Sequence, residues 1–130
     1  MGEHEELIQR VVDSIKRTSI KLDMLRYEYR YKIYDEDHYI DLLVQIGSVL
    51  HIFECKTKGK EKKARKQLAF HKWALDNFKE YFYWTGDIFS YGKIKTYYLS
   101  KEYNVIIETT TNDEEVLFPN FLDNPLVFLN

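Results

Sequence analysis

Asp41, Glu54 and Lys56 are the residues of this chain whose types and spacing suit chemistry best. Tyr39 to Ile46 and Val49 to Lys56 are rich in β-branched and aromatic residues and read as strands. Between them stands Gly47-Ser48. Gly first in a two-residue loop suits a type II′ turn, whose twist matches the flanking strands. That turn pairs Ile46 with Val49, and counting outward sets Leu43 opposite Ile52 and Asp41 opposite Glu54. Side chains so opposed have Cβ atoms about 4.5–5.5 Å apart, and like charges there are destabilising. A divalent cation between the carboxylates removes the repulsion, and Lys56 follows Glu54 on the same face. The expected chemistry is metal-assisted.

The elements that position these residues are legible on either side. Gly2 to Lys16 reads as an amphipathic helix with Leu7, Ile8, Val11, Val12 and Ile15 as its apolar stripe. Met24 to Tyr34 alternates and reads as a long first strand with one solvated face, followed by a polar turn at Asp35-Glu36-Asp37-His38. From Gly59 or Lys60 to Phe82 the apolar residues Ala64, Leu68, His71, Leu75, Phe78 and Phe82 step by three or four, so a second helix is expected. Glu80 to Thr85 is a competing strand start, and Gly86-Asp87 breaks the chain. Ile94 to Leu99 and Asn104 to Glu108 read as further strands, and Asn112 to Glu115 as a loop. The tail from Val116 is apolar and must pack on the domain or on a partner. Helix, three strands, helix, then strands predicts an α+β or α/β fold: one mixed sheet with helices on its faces.

At 130 residues the chain suits one domain, its core over 2–108 and its tail over 109–130. The single Cys55 allows neither an internal disulfide nor a thiolate zinc site, and reads as a small buried hydrophobe facing away from Glu54. No apolar run approaches the roughly 20 residues of a membrane span, and the acidic start is no secretory leader. An intracellular protein with no membrane partner is expected. His4, His38 and His51 come from three elements without zinc-ligand spacing, and no phosphate loop, Ser/His/Asp set or dinucleotide fingerprint suggests an organic cofactor. The net charge of −2 hides an asymmetry, because Lys56 to Lys72 carries +7 and the remainder −9. A basic stretch directly after the acid pair points to a nucleic-acid partner.

The residues Ile40-Asp41-Leu42-Leu43-Val44 and His51-Ile52-Phe53-Glu54-Cys55-Lys56, within an αβββα order over 2–82, resemble the PD-(D/E)xK nuclease superfamily. Ile40 stands where the family's name has proline. The resemblance implies the restriction-endonuclease-like fold, an αβββαβ core with a central mixed sheet flanked by helices. It also implies Mg²⁺, with Mn²⁺ able to substitute, held by Asp41, Glu54 and the backbone carbonyl of Cys55, and Lys56 as the catalytic cation. A third acid from the first helix is implied too, with Glu5 and Glu6 as candidates. At about 100° per residue Glu5 falls roughly 80° from the centre of the apolar stripe and Glu6 nearly opposite it, which favours Glu5. Some superfamily nucleases carry a helix glutamine with an aromatic four residues later. Here Gln67 is followed by His71, which also fits as a satisfied core histidine.

The expected function is a small Mg²⁺-dependent endonuclease that hydrolyses phosphodiesters in DNA, with Lys58, Lys60, Lys62, Lys63, Lys66 and Gln67 on the phosphates. Resolvases of this superfamily that cut branched DNA are similarly small and work as homodimers, and the apolar tail could supply such an interface. The alternative is a nucleic-acid-binding or assembly protein that keeps the fold without catalysis. A third possibility is cleavage of RNA.

Overall fold

The computed structural model describes residues 2–56, 59–86, 88, 90–100, 105–109, 115–119, 123, 125 and 129. Its elements run α1 (Glu3–Lys16), β1 (Met24–Ile33), β2 (Glu36–Ile46), β3 (Val49–Lys56), α2 (Glu61–Asn77), α3 (Lys79–Trp84), β4 (Lys93–Ser100), β5 (Val105–Thr109) and β6 (Glu115–Pro119). The six strands form one mixed sheet in sequence order. β1, β2 and β3 are an antiparallel meander, β3 and β4 pair in parallel across α2 and α3, and β5 and β6 pair antiparallel at the far edge. A parallel pair needs a crossover long enough to return the chain, and the two helices provide it. The fold is α+β, as the element pattern predicts.

The β2–β3 hairpin has the expected register. Ile46 pairs with Val49 and Leu43 with Ile52. Gly47 has φ +58 while Ser48 is not among the positive-φ residues, as a type II′ turn requires.

Three boundaries differ from the sequence expectation. The first turn is Tyr34-Asp35, not 35–38. Both residues have positive φ (51° and 64°), a type I′ pattern, so β2 begins at Glu36. The long second helix is two helices, because Phe78 leaves helical geometry (φ −125, ψ 33). Glu80 to Thr85 is then mostly α3 rather than a strand. The tail lies largely outside the described residues, although Glu115–Pro119 forms an edge strand where a proline's missing N–H is tolerated.

Strand alternation divides the core in two. α1 covers one face with Leu7, Ile8, Val11, Val12 and Ile15, packed with Leu42, Val44, Phe53, Cys55, Tyr97 and Leu99. Fully burying such side chains contributes roughly 1.5–3 kcal/mol each. α2 and α3 cover the other face through Ala64, Leu68, Leu75 and Phe82 on Ile40, Leu43, Leu50 and Ile52.

One local break in this pattern matters for function. Ile40 and Leu43 face the same side although three positions apart, with Leu42 on the opposite side. The β1–β2 ladder skips one pair there: Tyr27 meets Leu42 and Tyr29 meets Ile40, while Glu28, at φ +46, and Asp41 drop out. Asp41 therefore sits where β2 inverts its faces, and the β2–β3 ladder ends at Leu42–Phe53.

His51 faces away from Glu54, on the α1 side with Tyr97. It is buried, stacked with Tyr97, and its Nδ1 lies 2.9 Å from the Tyr97 hydroxyl. Burial, with Lys95 and Lys93 adding to it, lowers its pKa to about 3 from 6.5. The unfolded chain thus binds a proton below pH 6.5 that the folded chain refuses. The contribution of His51 to stability should fall by about 1–2 kcal/mol between roughly pH 6.5 and pH 5. Urea unfolding of the parent and of His51→Gln at the two pH values isolates this share, with the His51 ring signals followed by NMR. An imidazole that titrates near 6.5 would contradict it.

Candidate active site

β2 and β3 separate beyond Leu42–Phe53, and the groups their pairing would have covered are taken up by side chains. The Cys55 N–H donates to Asp41 Oδ2 at 2.9 Å, so Asp41 closes the ladder with its carboxylate in place of a backbone carbonyl. Within a strand the N–H and C=O of one residue face the same neighbour, so the Cys55 carbonyl also faces this gap. From the α1 side, His4 Nε2 lies 3.1 Å from the same Oδ2. From the α2 side, His71 Nε2 lies 2.8 Å from Glu54 Oε1, and His71 Nδ1 lies 2.6 Å from the Tyr31 hydroxyl. A polar chain therefore crosses the domain: His4, Asp41, Glu54, His71, Tyr31.

Its protons follow from burial. Glu54 is 1% exposed. Desolvation first, then its hydrogen bond with Asp41 and the charge of that carboxylate, push its pKa up to about 10. Glu54 is thus a neutral acid at pH 7 that shares its proton with Asp41. Burial, with His38 adding to it, lowers His71 to about 4, so this ring is neutral. Burial and the nearby Glu54 raise Tyr31 far above the usual phenol range, so its hydroxyl stays protonated. The Tyr31 O–H then donates to Nδ1, and the Nε2–H of His71 donates to Glu54 Oε1. Every member is satisfied, which a buried network requires.

Of the residues expected from sequence, the structure brings together Asp41, Glu54, Cys55 and Lys56. Asp41 and Glu54 are in contact, and Lys56, half-buried two residues on, is close enough for its charge to oppose the rise in Glu54. Cys55 is buried on the α1 side, and burial pushes its thiol pKa up, which suits a packing residue and not a nucleophile. Glu5 is not brought to the pair. It is exposed and turns back over Gly2, where an added Cβ would come within 2.6 Å of its Oε2. Glu6 is exposed too. The α1 residue that meets Asp41 is His4. A signal for it was present, because His4 precedes Val11 by seven residues and so lies on the centre line of the apolar stripe. Lys60, Lys62, Lys63 and Lys66 are exposed on or beside α2 and Gln67 is half-buried, while Lys58 lies outside the described residues.

Among the described residues no group of three or more His, Cys, Asp or Glu side chains is disposed to hold a metal ion. The residues nevertheless fit one hard cation of modest demands. Mg²⁺ is commonly bound by one or two carboxylates, with water and substrate phosphate completing the shell. Asp41 and Glu54 are two adjoining carboxyls with a carbonyl facing their gap, and the 13% exposure of the Asp41 side chain leaves a way in from solvent. The proton they share occupies the place of a positive charge.

Compared with protein-family models, curated proteins and solved structures, the chain matches none.

Proposed function

We propose that the chain is a metal-dependent nuclease that hydrolyses phosphodiester bonds in DNA. The observation that carries this reading is a buried acid pressed against a second carboxylate at the divergence of two strands, with an ammonium group two residues further on. Two carboxyls so placed cost stability, and a cation-dependent reaction is what they would serve. The αβββα order, with a lysine-rich α2 directly after β3, supports the reading through the resemblance to the PD-(D/E)xK superfamily.

Asp41, Glu54 and the Cys55 carbonyl would hold Mg²⁺ or Mn²⁺. Such an ion, when bound, lowers the pKa of a water and screens phosphate charge. The chain's own residues do the rest. Lys56 orients the attacking water through its ammonium donors and offsets the negative charge that builds on the phosphate oxygens. His71, fixed by Tyr31, holds Glu54 in one orientation, and His4 does the same for Asp41. Lys60, Lys62, Lys63 and Lys66 add salt-dependent affinity that is indifferent to sequence.

The test is incubation with plasmid, branched DNA and RNA in Mg²⁺, Mn²⁺ or EDTA. Cutting in either metal, none in EDTA, and a loss of about a hundredfold in Lys56→Ala are expected. The satisfied hydrogen bonds of Glu54 favour a second reading, a nucleic-acid-binding protein that keeps the network for stability alone. Metal-independent binding with no cleavage of any of these substrates would establish it.

A further inference from the structure

Beside the acid pair, and separated from Glu54 by His71, lies an open cleft of about 350 Å³. Lys63, Lys66, Gln67 and Phe70 of α2 line one side of it and His38 of β2 the other. Asp37, the one carboxylate that lines it among the described residues, is paired with Arg30 at 3.2 Å, while Lys63 and Lys66 supply positive charge. Two lining residues carry a buried polar atom without a hydrogen-bond partner among the described residues, Gln67 Oε1 and His38 Nε2. Glu36 Oε2 lies 4.0 Å from His38 Nε2, beyond bonding range. An unmet buried polar atom is costly, and a ligand edge with donors and acceptors would meet both.

From this cleft a row of rings runs along the outside of α2. His38 lies 4.3 Å from Phe70, Phe70 5.6 Å from Trp73, Trp73 5.7 Å from Phe78, and Phe78 5.9 Å from Tyr34. Helical spacing builds it, because Lys63, Lys66, Phe70 and Trp73 follow one another at steps of three or four on one face. The row is open to solvent where a core would close it: Trp73 is 43% exposed and Tyr34 79%. Cations and then aromatic faces in line are the two ingredients of a single-strand groove, one for the backbone and one for the bases. A paired duplex hides its base faces and gains nothing from such a row.

We infer that this face of α2 binds an unpaired strand of nucleic acid, its bases stacking along Trp73 and Phe70 and one base entering the cleft at Gln67. The inference rests on the nuclease reading for what becomes of the strand, and narrows its substrate to DNA or RNA with a single-stranded portion. Binding alone tests the surface. In EDTA, a labelled thymidine oligonucleotide of about 12 nucleotides should bind the whole chain at least tenfold more tightly than a blunt duplex of equal length. Trp73→Ala should weaken the single strand about tenfold or more, leave the duplex unchanged, and abolish the tryptophan quenching that the strand causes although Trp84 remains. Trp73→Phe should recover most of the loss, which separates stacking from damage to the fold, and thermal melting of both variants checks the fold directly. A uridine oligomer distinguishes RNA from DNA, and binding of either through Trp73 supports the inference. Equal or tighter binding of the duplex, or a Trp73→Ala protein that binds the strand normally, overturns it. Metal-dependent cutting of duplex without single-strand binding would refute the track and leave the nuclease. Strand binding through Trp73 with no cutting of anything would do the reverse.

Discussion

Replacing Glu54 by Gln should lower DNA cleavage by roughly a thousandfold, about 4 kcal/mol of transition-state stabilisation, while leaving the protein as stable at neutral pH or more so. Glu54 is a protonated acid in the folded chain, and glutamine is its near copy. The amide N–H₂ takes the place of the hydroxyl that faces Asp41, and the amide oxygen still accepts from His71 Nε2. What glutamine lacks is the ability to become an anion, which a cation needs. The stability side has a definite sign. The Glu54 pKa rises from 4.5 to about 10 on folding, so the folded chain keeps a proton that the unfolded chain gives up above 4.5. Stability tied to this group is full below 4.5 and is lost as pH climbs towards 10. At pH 7 the loss is of the order of 1–3 kcal/mol, and Glu54→Gln recovers it. Glu54→Ala would instead strip His71 and Asp41 of a partner in a buried place and destabilise by about 2–4 kcal/mol. Nicking assays beside urea melts of the two variants read both effects. A Glu54→Gln protein that cuts like the parent would end the case for a catalytic acid pair.

The hairpin was legible because its cause is local. A glycine at the first turn position sets the type II′ geometry, the turn sets the register, and the register brings Asp41 towards Glu54. α1 and the lysine-rich α2 were legible from helical spacing for the same reason. The inversion of β2 at Asp41 was not. It depends on a positive φ at Glu28, which is not glycine, on a neighbouring strand whose flanking pairs join residues fifteen and eleven apart, with no residue type to mark it. Counting alone continues the β2–β3 ladder through Asp41, whereas the chain ends it one pair sooner and uses the Asp41 side chain to cap the Cys55 N–H. The helix residue is hidden for another reason. The resemblance implies an acid on α1, whereas His4 lies on the stripe's centre line and Glu5 at its edge. The break at Phe78 carries no glycine or proline. The ring contact of Phe78 with Tyr34 is tertiary, and spacing within α2 cannot report it.

Binding of Mn²⁺ or Mg²⁺ should tighten about tenfold for each unit of pH below the Glu54 pKa, so by about a hundredfold from pH 6 to pH 8, with release of about one proton. The proton can be assigned. His71 is already neutral at these pH values, its pKa being lowered to about 4, and has none to give. Tyr31 keeps its proton throughout, because burial and Glu54 hold its pKa far above this range. Glu54, held up at about 10, carries the one that must leave for its oxygens to meet a cation. Titration calorimetry in two buffers of different ionisation heat counts the proton, and repeating it across the pH range gives the slope. Removing the metal with EDTA should return the proton to Glu54 and lower the stability to that of the metal-free chain at the same pH. An affinity that stays flat over this range would mean that the ion, if bound, sits elsewhere. Glu54 would then be a structural acid whose burial serves the network alone.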